Sequence, residues 1–89
     1  MVDRKLSIHF SDVPQDLQII AIEQASNLIE SKKPPNEIAK IIKQAFDKEY
    51  FPNWHCIVGN QFGAFVSNED TKALYFTYGQ TSVLLFKAG

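Results

Sequence analysis

At 89 residues with a net charge of −1, the chain has room for one small domain, 1–89. It lacks the basic stripe that phosphate backbones demand, which argues against nucleic-acid binding. An apolar share of 45% excludes disorder. No apolar run approaches the ~20 residues of a membrane span, and no signal peptide is expected at the start.

The stretch Lys5 to Ser11 alternates Leu6, Ile8 and Phe10 against Lys5, Ser7 and His9, the period of a half-buried strand. Asp12 and Pro14 then supply helix-start chemistry, an acceptor side chain and a residue tolerated in the first turn. Leu17, Ile20, Ala21, Leu28 and Ile29 recur at helical spacing to about Lys32. Lys33-Pro34-Pro35 breaks that pattern, because proline lacks an amide donor and disfavours helix in the residue before it. Asn36 reads as the N-cap of a second helix with Glu37 in its first turn. Ile38, Ile41, Ile42, Ala45 and Phe46 line one face of it, and Phe51-Pro52 ends it.

Four short strands are expected next, at about 54–58, 62–67, 73–78 and 82–87. Gly59-Asn60 and Gly79-Gln80 read as turn pairs, with glycine first as a type II′ hairpin prefers. Asn68-Glu69-Asp70 reads as a polar loop. The expected class is α+β, two helices packed on an antiparallel sheet of about five strands. Seven Phe, three Tyr and one Trp are many for this length, which points to a subunit interface as well as a core.

Catalytic chemistry finds little support. A thiolate beside an imidazole is a nucleophile pair, but successive strand residues point to opposite faces, so His55 and Cys56 diverge. Cys56 reads better as a small buried hydrophobe, and as the single cysteine it cannot form an internal disulfide, which suits a reducing, intracellular setting. His9 and His55 lie too far apart in sequence for paired zinc ligands. Asp12, Asp16, Glu69 and Asp70 are accounted for as caps and a solvated loop. Gly59 and Gly63 lie between strands, not before a helix, so no phosphate cradle is formed. No enzyme activity, metal or cofactor is expected. Taken alone, His55 reads as a satisfied, partly buried strand residue. Phe62 to Ser67 alone reads as an ordinary core or edge strand, although it carries none of the Lys, Pro or bulge devices that blunt an edge. Its one glycine, Gly63, lets another backbone approach closely.

The run Trp54 to Gly63, WHCIVGNQFG, changes that weighting. It contains the Trp-His-Cys-Ile-Val-Gly signature of the eight-kilodalton dynein light chains, which the whole chain resembles. Asp3-Arg4-Lys5, Phe46-Asp47-Lys48, Tyr75-Phe76 and Leu84-Leu85-Phe86-Lys87 also fall where that family has them. The resemblance implies a two-fold dimer packed sheet on sheet, in which the strand after Gly59 crosses to the partner's sheet. Its interface would hold His55, Ile57, Phe62 and Phe65. Protonating two copies of His55 close to the axis places like charges together, so the dimer would be sound near pH 7 and weaken around pH 5.

The resemblance further implies a groove at each exchanged strand, where an extended partner peptide adds to the sheet. Its residues would be Asp12, Asn36, Phe62, Gly63, Ala64, Phe65, Val66, Ser67, Asn68, Ala73 and Tyr75. At ~1 kcal/mol net per backbone hydrogen bond, five or six bonds fall short of the about 8 kcal/mol that micromolar binding needs, so apolar pockets must contribute. Two grooves per dimer would grip a paired partner at high effective concentration. The implied role is a non-catalytic homodimeric hub for the dynein intermediate chain and other disordered segments, cytoplasmic and cytoskeletal. An alternative is a dedicated structural subunit of one axonemal or cytoplasmic dynein with a narrow partner range.

The chain departs from the family pattern at the second helix, where Pro34-Pro35-Asn36 replaces an acid followed by lysine. Asn68, Thr77 and Ala73 stand where histidine, tyrosine and phenylalanine are common, and Ala73 is expected to widen one pocket. Asn60 removes a common basic residue. Ala88 replaces a serine whose phosphorylation can split such dimers, so that switch is absent.

Overall fold

The computed structural model describes residues 5–50, 52–60 and 72–87. Strand β1 (Leu6–Ser11) leads into helices α1 (Gln15–Glu30) and α2 (Pro35–Tyr50), followed by strands β2 (Trp54–Asn60), β3 (Lys72–Tyr78) and β4 (Thr81–Lys87). The strands form one antiparallel sheet in the order β1-β3-β4-β2, with the helices on one face. This is the expected α+β class. The expected strand at 62–67 and the loop at 68–70 lie outside the described residues.

The core follows from two periods meeting. Helix α1 contributes Ala21, Ala25 and Ile29, each four residues apart, and α2 contributes Ile38, Ile42 and Phe46 at the same interval. The sheet answers with Trp54 from β2, Leu74 and Phe76 from β3, and Val83 and Leu85 from β4. Helix α2 lies against β2, and Phe46 meets Trp54 edge to face at 5.2 Å. Small residues at 21 and 25 let α1 pack closely. Ile20, expected on the core face of α1, is instead 44% exposed, because the Ala21–Ala25–Ile29 stripe occupies that face.

Three local expectations are corrected. Asn36 is not the N-cap of α2: the helix begins at Pro35, and the Pro34 carbonyl accepts the amides of Glu37 and Ile38. Proline at the first helical position brings a preset φ, and its missing amide would be unpaired there anyway. Asp12 does not cap α1, whose N-cap Pro14 has no side-chain capping bond; the Asp12 amide instead donates to the Ala73 carbonyl at 2.8 Å. Gly59-Asn60 is not a turn, since β2 continues through it with Gly59 opposite Ser82 and Asn60 opposite Thr81. By contrast, Gly79-Gln80 is a two-residue hairpin closed by Tyr78 and Thr81. Gly79 has φ 65 and Gln80 does not share the positive φ, as a type II′ turn requires.

The alternation expected of β1 is also interrupted. Ile8 faces Phe76 and Phe10 faces Tyr75, so a bulge at His9 breaks the register. Phe10 thereby leaves the face of Leu6 and Ile8 and joins that of Tyr75.

Helix α1 ends with Ser31 as C-cap and Lys32 in the left-handed region at φ 60. The Lys32 amide donates to Ile29 O at 3.0 Å and that of Lys33 to Leu28 O at 3.5 Å, a Schellman arrangement that favours glycine. Lys32→Gly is therefore expected to stabilise the fold by about 1 kcal/mol. The measurement is a higher urea midpoint at unchanged slope.

Candidate functional site

Along β2 the side chains divide cleanly. Trp54, Cys56 and Val58 pack towards the helices, while His55 and Ile57 lie on the outer face and are exposed, Ile57 by 49%. Their cross-strand partners on β4 are Phe86 and Leu84, both half-buried. His55 stacks on Phe86 with centroids 5.3 Å apart and planes 24° from parallel. Further along the same face, Ala73, Tyr75 and Ser82 are buried. Exposure thus rises from β3 towards β2, leaving an apolar outer surface beside the sheet edge.

The two edges of the sheet differ. Strand β2 pairs with β4 residue for residue from Trp54↔Lys87 to Asn60↔Thr81 with no irregularity. Among the described residues its other side has no partner strand. Strand β1, the opposite edge, carries the His9 bulge, fixed by a 2.8 Å bond between His9 Nε2 and Thr77 Oγ1 and by His9–Tyr75 ring contact at 4.8 Å. A bulge is one of the devices that keep an edge from accepting another strand, and a straight edge invites one.

The register shows which expected site residues come together. Asp12 and Ala73 lie at one end of the sheet, joined by their backbone bond, with Tyr75 two residues further along β3 on the face of Ala73. Asn36 lies at the other end of the protomer. Its neighbours Pro35 and Ile38 line a cleft of about 310 Å³ with Gly59, Asn60 and Thr81. Within one protomer, then, Asn36 does not join the Asp12 group. Phe62, Gly63, Ala64, Phe65, Val66, Ser67 and Asn68 lie outside the described residues. Sequence reasoning missed the stacking of Phe86 beneath His55 and the His9–Thr77 bond. The first could be found by pairing the alternation of β2 with that of β4; the second depends on a bulge that leaves no signal in residue type.

Cys56 and His55 diverge as strand alternation requires. Burial against the helices pushes the Cys56 thiol up to about 12, so it is held as the neutral thiol rather than the nucleophilic thiolate. Among the described residues there is no group of three or more His, Cys, Asp or Glu able to hold a metal ion. No helix among them is long and apolar enough to cross a membrane.

Residues 5–88 match the family model for dynein light chain type 1. The chain belongs to the dynein light chain family. Members of this family generally form homodimers and bind partner peptides. The fold is also that of two solved dynein light chain-like domains. One is from the Fasciola hepatica calcium binding protein FhCaBP2, with a TM-score of 0.84 at 18% identity, covering 98% of this chain and 94% of that one. The other is the corresponding domain of CsTAL3, with a TM-score of 0.79 at 10% identity, covering 93% and 92%.

The start of this dynein light chain's β2 is fastened by Asp47 near the end of α2. One carboxylate oxygen pairs with Lys43, and the other accepts the Trp54 amide at 2.8 Å. The Lys43 bond first, and then the Trp54 amide, hold the Asp47 carboxyl below its ordinary value of 3.8. A lowered carboxyl contributes stability above its unfolded value and loses it as pH falls through the folded one. Wild type is therefore expected to lose urea resistance between about pH 5 and about pH 3, and Asp47→Asn to lose less over that window.

Proposed function

We propose that this dynein light chain is a non-catalytic homodimeric hub that takes up extended segments of other proteins as an added strand. The observation that carries the reading is the straight edge of β2, unpartnered among the described residues and bordered by exposed His55 and Ile57. An edge of that kind accepts a strand through backbone bonds, and the apolar surface beside it suits a second sheet packed across a two-fold axis. Phe62–Ser67 of the partner protomer would fill the β2 edge. The far side of that exchanged strand would take a guest peptide, such as one from the dynein intermediate chain. Asp12, Ala73 and Tyr75 of one protomer and Asn36 of the other would border the groove, which accounts for their separation within a single chain. The family membership supports a cytoplasmic, dynein-associated setting.

One observation favours the narrower alternative, a dedicated subunit of one axonemal or cytoplasmic dynein. Helix α2 starts at Pro35, which has no amide, and the Glu37 and Ile38 amides already point at the Pro34 carbonyl. A guest side chain seeking donors at that helix start finds few. An array of unrelated disordered peptides separates the two readings: many binders mean a hub, one or none a dedicated subunit. Ser67→Lys should abolish capture in either case while leaving the dimer intact.

The dimer makes its own prediction. Ile57→Lys puts a charge into the apolar outer face and is expected to sediment as a folded monomer at pH 7. Wild type should be dimeric at the same pH.

A further inference from the structure

The face of the molecule turned away from the sheet carries a second feature that strand addition does not use. Between α1 and α2 lies a cleft of about 440 Å³, walled by Ile20, Glu23 and Gln24 on one side and Phe46, Glu49 and Tyr50 on the other. It runs from Ile20 to Asn27 along α1, close to two helical turns or ~10 Å. Ile20, in its wall, is 44% exposed. The lining holds two carboxylates and no cation.

These features restrict the occupant. Both walls are helices whose backbone groups are consumed internally, so the cleft offers no ladder to an extended peptide. A ligand that meets its own backbone needs, presents a narrow apolar stripe and carries positive charge on its flanks would match Ile20, Tyr50 and the two glutamates together. We propose that the α1–α2 cleft is a docking site for a short cationic amphipathic helix, which would lie as a third helix across the outer layer. Its apolar residues would sit against Ile20 and Tyr50, whose ring rests on that of buried Phe46 at 5.1 Å. Its Lys or Arg side chains would reach Glu23 and Glu49. The site is independent of the sheet edge, so one dimer could hold an extended segment and a helical one at once.

A reporter is already in place. Phe46 lines the cleft and also meets buried Trp54 at 5.2 Å, and Trp54 is the single tryptophan of the chain. The probe is a 14-residue peptide of Leu and Lys alone, with Leu on one helical face, titrated into the full-length protein while Trp54 emission and backbone amide shifts are followed. The expected result is saturable binding that moves amides of 19–27 and 45–50. A peptide of the same composition with its Leu residues scattered around the helix, and a Glu23→Lys/Glu49→Lys variant shown folded by circular dichroism, should each bind at least ~10-fold more weakly. No movement of those amides, or equal binding by the scattered peptide or by the variant, overturns the proposal. Ser67→Lys should bind the probe as wild type does, which keeps this outcome separate from that of strand addition.

Discussion

The two-residue period of β2, locked in register with β4, decides what each side of this molecule can do. It sends Trp54, Cys56 and Val58 under the helices and His55 and Ile57 outward. A slip of one residue would exchange the two sets, pushing an imidazole into the core and a tryptophan into water. Two contacts resist the slip at its origin: the Phe46 ring against Trp54, and the Asp47 carboxylate on the Trp54 amide. Both come from the last turns of α2, so the helix that covers the sheet also sets its register. The inertness of Cys56 and the accessibility of the outer face are consequences of the same phase.

The two faces offer different kinds of valence. At the β2 edge the groups left without a partner strand among the described residues are backbone donors and acceptors, which are indifferent to sequence and suit partners that share a shape rather than a composition. On the helical side the backbone is satisfied, and the cleft offers exposed Ile20 and two carboxylates. Selection there must come from side chains. Strand addition at the sheet edge and helix docking between α1 and α2, as proposed, would use separate residues and would not compete.

Much of this was legible in the residues. Alternation placed β2, β3 and β4, and the Gly79-Gln80 hairpin followed from glycine's tolerance of positive φ. The opposed directions of His55 and Cys56 needed nothing beyond strand geometry. What residue type could not reveal was settled by long-range pairing. Gly59 and Asn60 have the composition of a turn but are held in β2 by Ser82 and Thr81, more than twenty positions away. Asn36 has the chemistry of a cap but loses the position to Pro34, because the fixed φ of Pro35 starts the helix two residues earlier. Ile20 fits a helical stripe as well as Ala21 does, and the choice between them depends on how close α1 comes to its neighbours. At the site, the apolar outer surface was implied by alternation, whereas the separation of Asn36 from Asp12 within a protomer emerged only from the strand order.

The His9 bulge sets a limit on how large an assembly can grow. A sheet with two receptive edges has no reason to stop at a pair, since each added copy presents a fresh edge to the next, and the product is a ribbon of indefinite length. Here β1 is distorted where His9 bonds Thr77, and β2 is straight. With β1 distorted, further strands would add only on the β2 side, where the proposed dimer would place the exchanged strand and its guest. A single out-of-register histidine at the far margin thus marks β1 as the side from which a ribbon of copies would not grow.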